Sequence, residues 1–94
     1  MLYIRKVSGN SMLPTLQHGD YIIATKNIFK HYKVNDIVIV QHAKFSEIIK
    51  RIISIDSNED FWLAGDGADT LSSEKMGAIK QGQILAKLCW HIHP

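Results

Sequence analysis

One serine and one lysine in this chain of 94 residues are placed where their side chains could do chemistry together. Ser11 lies in Gly9-Asn10-Ser11-Met12-Leu13-Pro14-Thr15-Leu16, which is closed by Gly19-Asp20 and followed by the apolar run Tyr21-Ile22-Ile23-Ala24. A serine hydroxyl is barely ionised near neutral pH, so it becomes a nucleophile only beside a base. Lys50 stands among four isoleucines in Ile48-Ile49-Lys50-Arg51-Ile52-Ile53. Burial disfavours the charged form of an amine. A neutral Lys50 could take the Ser11 proton and later hand it to a leaving amine. In strict alternation Ile48, Lys50 and Ile52 share one face of a strand, and Ile49, Arg51 and Ile53 share the other. Lys50 and Arg51 therefore point oppositely, and one of them is expected to meet solvent. A plainer reading of the same residues stands beside this one. Lysines in strands commonly guard edges against aggregation, and Ser11 would then be a turn residue held by Pro14.

The elements that must carry these residues are short, rich in Ile and Val, and separated by turn residues. Strands are expected over 2–7, 20–26, 36–41, 45–56, 61–65 and 83–93. Ile37-Val38-Ile39-Val40 is apolar at every position, which predicts a strand covered on both faces. Turn signals fall at Gly9-Asn10, His18-Gly19-Asp20, Val34-Asn35-Asp36, Asp56-Ser57-Asn58 and Gly65-Asp66-Gly67. Helix is expected in two places only. A single turn can follow Ser11, limited by Pro14 to the first turn, and a short helix over 72–76 would start on an N-cap serine and stop at Gly77. No repeat or linker interrupts the chain, so residues 1–94 read as one mostly-β domain.

Composition narrows the partners. The apolar share of 46% suits a globular core and argues against disorder. A net charge of +2 with interspersed signs, and no DNA-binding pattern, gives no reason to expect a nucleic-acid partner. No stretch approaches the length of a membrane span, and Met1-Leu2-Tyr3-Ile4-Arg5-Lys6-Val7 is too short and charged for a signal peptide. A cytoplasmic location is expected, with recruitment to a membrane only through a partner. Cys89 is the single cysteine, so no internal disulfide forms; between Leu88 and Trp90 it reads as a core residue. His91-Ile92-His93 places two imidazoles on one strand face, but no third ligand follows in the sequence, so no metal and no cofactor is expected. His18, His31 and His42 read as surface residues.

Taken together, Gly-Asn-Ser-Met-Leu-Pro-Thr-Leu, then Gly-Asp, then Lys50-Arg51 39 residues after the serine, resemble the type I signal peptidases and LexA-like serine peptidases. A third block, Gly65-Asp66-Gly67 with Ser72-Ser73 and Gly77-Ala78-Ile79, is similar to the Gly-Asp-Asn box that closes the signal peptidase core. The blocks run in the family's order across residues 7–79. The resemblance implies a core of twisted antiparallel sheets with one or two short helical turns. It implies Ser11 as nucleophile, Lys50 as general base and the Ser11 backbone N–H as an oxyanion donor. Met12 would help form the substrate-binding wall, and Asp66 would order its loop rather than do chemistry.

The chain also departs from the family. Gly9 stands where many signal peptidases carry a hydroxyl that completes the oxyanion hole, so Gly9 and Asn10 are expected to contribute through the backbone. Gly67 replaces the box's Asn, and Ser72 and Glu74 replace an Asp and an Arg, so an ion pair is lost there and only Ser73 is retained. Thr70 falls where the family has a serine that bonds the lysine. Ala64-Gly65 is similar to the bond cut in LexA-like self-processing, yet its place in the closing box makes it a structural turn. Three functions remain open. The first is a Ser/Lys endopeptidase acting on a protein or precursor peptide bound as an added strand. The others are a non-catalytic peptide-binding module of the same fold, and the C-terminal part of a self-cleaving regulator. The regulator needs a DNA-binding domain and a cleavable linker ahead of the serine, and only ten residues precede Ser11 here.

Overall fold

β-branched runs broken by turn residues fold as the alternation demands. The computed structural model describes residues 1–26, 31–67 and 72–94. Its strands are β1 (Leu2–Lys6), β2 (Tyr21–Thr25), β3 (Ile37–His42), β4 (Ser46–Ile55), β5 (Phe61–Ala64) and β6 (Ile84–Ile92). All six expected strands are present, with ends shifted by one residue at most of their boundaries. Among the described residues helix is confined to α1 (Ser73–Met76) and a 3-10 turn at Gln81–Gln83. The strands form one antiparallel sheet in the order β1-β2-β6-β3-β4-β5. The last strand thus inserts between the second and the third.

That insertion puts β3 deep in the sheet, between β6 and β4. Ile37, Val38, Ile39 and Val40 are all buried, as their unbroken apolar run predicts. Because side chains alternate, Val38 and Val40 face one way and join Ile52, Phe61, Leu63, Met76 and Ile79 in one cluster. Ile37 and Ile39 face the other way and join Val7, Met12, Leu16, Ile22, Ala24 and Ala86 in a second. The second cluster holds the serine segment in place. Met12 and Leu16 are fully buried anchors, so the loop between β1 and β2 is pinned from below rather than draped over the surface.

α1 forms for the expected reason: the Ser72 hydroxyl accepts the Lys75 N–H at 3.2 Å, and Gly77 takes φ 75° at the C-cap. Ser72 thus serves as the N-cap of α1. Two expectations fail. Cys89 is exposed. Ala24 pairs with Leu88 and Ile23 with Trp90, so Cys89 is the extra residue of a β-bulge and leaves the ladder that would have buried it. His42 is buried. Its Nδ1 accepts the Lys44 and Phe45 N–H groups at 2.9 and 3.2 Å, and Nε2 lies 2.8 Å from the Met76 carbonyl. Nε2 therefore carries the hydrogen and donates it, tying the β3–β4 turn to the end of α1.

The sheet has an edge where strands do not match in length. β4 pairs with β3 from Ser46 to Arg51, but β5 covers it only from Arg51 to Ile55. Among the described residues, the other edge of β4 over residues 46–50 therefore has no neighbouring strand. Among those residues β1 likewise pairs on one side only. The sheet curls until these two edges face each other, and Arg5 of β1 forms an ion pair with Glu47 of β4 across the gap. Every neighbouring pair is antiparallel, so β1 and β4, with three strands between them, run in the same direction.

Candidate active site

The gap between the two edges is a groove of about 220 Å³ lined by residues 5–8, Ser11, Met12 and residues 47–50. Successive strand residues point to opposite faces. A groove that touches four consecutive residues of β4, and the end of β1 besides, runs along strand edges rather than over a sheet face. Both candidate dyad residues, Ser11 and Lys50, lie on its walls.

Ser11 is held by its own segment. The Val7 N–H donates to the Asp20 carbonyl at 2.7 Å and the Gly19 N–H to the Val7 carbonyl at 2.9 Å, closing the loop at its base. Inside it the Leu13 N–H donates to the Asn10 carbonyl and the Leu16 N–H to the Met12 carbonyl, which makes two tight turns, the second spanning Pro14, and not the turn of helix expected after Ser11. Ser11 itself is half-buried, open to the groove. Met12 also borders the groove but is only 2% exposed, so it forms floor more than wall. The Gly9 N–H donates to His18 Nδ1 at 2.9 Å, which anchors the start of the segment.

Lys50 is 6% exposed, and burial pushes its amine below the ordinary lysine value. The solvated edge-lysine reading therefore fails for this position. Arg51 is the member of the pair nearer solvent, and it is engaged as well. Its Nε and Nη2 donate to Asp66 Oδ1 and Oδ2, each at 2.8 Å, and its Nη1 donates to the Asn35 carbonyl at 2.7 Å. Asp66 also accepts the Thr15 hydroxyl at 2.6 Å. Arg51 foremost, then Thr15, holds the Asp66 carboxyl below its usual range against the opposing effect of burial.

The closing box thus orders the serine segment from the side. The Gly67 N–H donates to the Ser11 carbonyl at 2.8 Å, and a Cβ on Gly67 would lie 2.9 Å from the Asn10 carbonyl oxygen. Only glycine fits so close an approach of two backbones. The departure from Asn at this position is explained by that contact. Ala64 ends β5 paired with Arg51, so the Ala64-Gly65 bond belongs to the framework. Thr70 lies outside the described residues. Arg5 and Glu47 had no motif to signal them, being 42 residues apart.

A family model described as Peptidase S24-like matches residues 1–89. No curated protein matches the chain. Among the described residues no group of three or more His, Cys, Asp or Glu side chains could hold a metal ion, and no helix is long and apolar enough to cross a membrane.

Proposed function

This chain belongs to the Peptidase S24-like family, and on that premise we propose that it is a serine endopeptidase whose nucleophile is Ser11 and whose general base is Lys50. The observation that carries the reading is the pairing of a half-exposed serine and a buried lysine on one groove that runs between two open strand edges. A lysine can act as base only in its neutral form, and desolvation of Lys50 favours that form.

The substrate enters the groove as an extended strand, hydrogen-bonded to the backbone edges of β1 and β4. Because β1 and β4 run the same way, the strand is parallel to both or antiparallel to both. A volume of about 220 Å³ accepts small side chains beside the scissile bond and is below the range of about 300–1,000 Å³ typical of small-molecule sites. Ser11 Oγ attacks the scissile carbonyl carbon while Lys50 Nζ takes the hydroxyl proton. The negative charge that develops on the carbonyl oxygen is met by backbone N–H groups at Ser11 and Asn10. Since the Gly9 N–H is committed to His18, Gly9 serves by allowing the turn, at φ 82°, rather than as a donor. The C–N bond then breaks, Lys50 returns the proton to the leaving amine, and an ester on Ser11 remains. Lys50 next takes a proton from water, whose oxygen attacks the ester carbonyl; the C–Oγ bond breaks and Lys50 returns that proton to Ser11 Oγ, restoring both groups. Residues 1–94 together supply this core, and no cofactor enters any step.

The test incubates wild type, Ser11→Ala and Lys50→Ala with a proteome-derived peptide library and reads new termini by mass spectrometry. Cleavage by wild type alone is expected. Equal cleavage by Ser11→Ala overturns Ser11 as the nucleophile, and no cleavage by wild type leaves peptide binding without catalysis.

A further inference from the structure

Arg5 and Glu47 form a charged gate across the groove, and the assignment of that gate deepens the peptidase reading on which it rests. Arg5 stands in register with Ile22 of β2, and Glu47 lies two residues before Ile49. Both therefore project from the face of the sheet on which Met12 and Leu16 pack, the face that carries the serine segment. Arg5 meets Glu47 through Nε and again through Nη2, at 3.2 Å to Oε2, and both side chains are about one-third exposed. Glu47 precedes Lys50 by three residues, so the gate lies about 10 Å along the strand from the base, the two side chains leaving the strand edge on opposite faces. A strand in the groove carries its side chain there about three residues from the scissile bond.

We propose that this gate selects substrates with an acidic side chain about three residues from the scissile bond. The pair must open or yield for a strand to pass, and an exposed ion pair contributes only about 0–1 kcal/mol, so its opening is cheap. What replaces Glu47 on Arg5 must then match the charge of the groove. The groove wall carries Arg5 and Lys6 against the single acid Glu47, and the nearby carboxylate of Asp66 is already bound by Arg51 and Thr15. An aspartate or glutamate takes over the guanidinium fork bidentately, while Glu47 turns to solvent. A lysine or arginine could pair with Glu47 only by leaving Arg5 beside another cation. Electrostatic matching of this kind sets specificity more than affinity.

The experiment uses one proteome-derived peptide library in two arms. Wild type cleaves it, and the Ser11→Ala chain captures peptides from it without cutting. Asp and Glu are expected to be enriched at one position about three residues from the cleaved bond, by about fivefold, the factor equivalent to the ~1 kcal/mol upper end for an exposed pair. Arg5→Gln should abolish the enrichment, and Glu47→Gln, which removes the competing carboxylate, should increase it. An increase is a result that misfolding cannot produce. If wild type cuts nothing but Ser11→Ala captures an acid-enriched set, the catalytic reading falls and the gate stands. Cleavage or capture without charge preference at that position, a preference indifferent to Arg5→Gln, or neither cleavage nor capture overturns the proposal.

Discussion

Arg51 grips Asp66 through two N–H···O bonds of 2.8 Å, and through Asp66 it reaches the hydroxyl of Thr15, four residues beyond Ser11. The residue next to the proposed base thereby fixes the segment that bears the proposed nucleophile. The two neighbours Lys50 and Arg51 divide the labour because strand alternation sends them to opposite faces. Lys50 goes to the buried interior and Arg51 to the closing box.

Asp66→Asn should destabilise the chain by about 1.5–3 kcal/mol at pH 7, the range for hydrogen bonds to charged groups. The folded Asp66 carboxyl titrates below its unfolded value, chiefly because of Arg51. Its contribution is complete above the unfolded carboxylate range near pH 4 and fades as pH falls through the lower folded value. Urea titrations of both chains should therefore differ at pH 7 and converge in strong acid. An undiminished difference in acid would show that the effect is not the ion pair.

Gly67→Ala should injure activity more than stability. A methyl 2.9 Å from the Asn10 carbonyl oxygen must push the Ser11 backbone aside. Overpacking of this kind costs about 1–3 kcal/mol, whereas a small misplacement of a reacting group can cost about a hundredfold in rate. Measuring kcat/KM alongside the urea midpoint separates the two, and a loss of stability with full activity would contradict the contact's role.

Activity should fall on acidification through the Lys50 pKa, which lies below the ordinary lysine value because of burial. The base works only when neutral, so the active limb is the alkaline one. Lys50→Met should lower kcat by about 10²–10⁴-fold, the usual worth of a general base. It should also stabilise the fold at neutral pH by about 0.5–2 kcal/mol, the gain common when a strained functional group is removed. The folded chain binds fewer protons than the unfolded one between the two Lys50 values, so wild-type stability rises with pH across that window. A destabilised Lys50→Met chain would count against the burial argument.

Ser72→Ala should cost about 1 kcal/mol by removing the N-cap that receives the Lys75 N–H. In a chain of this size that lowers Tm by about 4–8 °C. Thermal unfolding with no change would mean that α1 is held by Met76 packing alone.

Local pattern made much of the molecule legible from sequence. The six strands, the two-sided burial of β3 and the helix capped by Ser72 all follow from residues adjacent in the chain. The motif blocks pointed to Ser11, Lys50 and Asp66 because family resemblance compresses distant positions into recognisable spacing. His42 and Cys89 were misread because their burial depends on partners far away, the Met76 carbonyl in one case and a bulge opposite Ile23 in the other.

What the sequence determined by itself was which residues could react and which segments would be strands, since both depend on side-chain type and short-range alternation. Only the tertiary structure decided that Lys50 is buried, that Gly67 must be glycine, and that Arg5 faces Glu47 over an open groove. Those relationships arise from the insertion of β6 between β2 and β3, which curls the sheet until β1 meets the uncovered end of β4. No periodicity records such a meeting, because the contact joins edges with three strands between them.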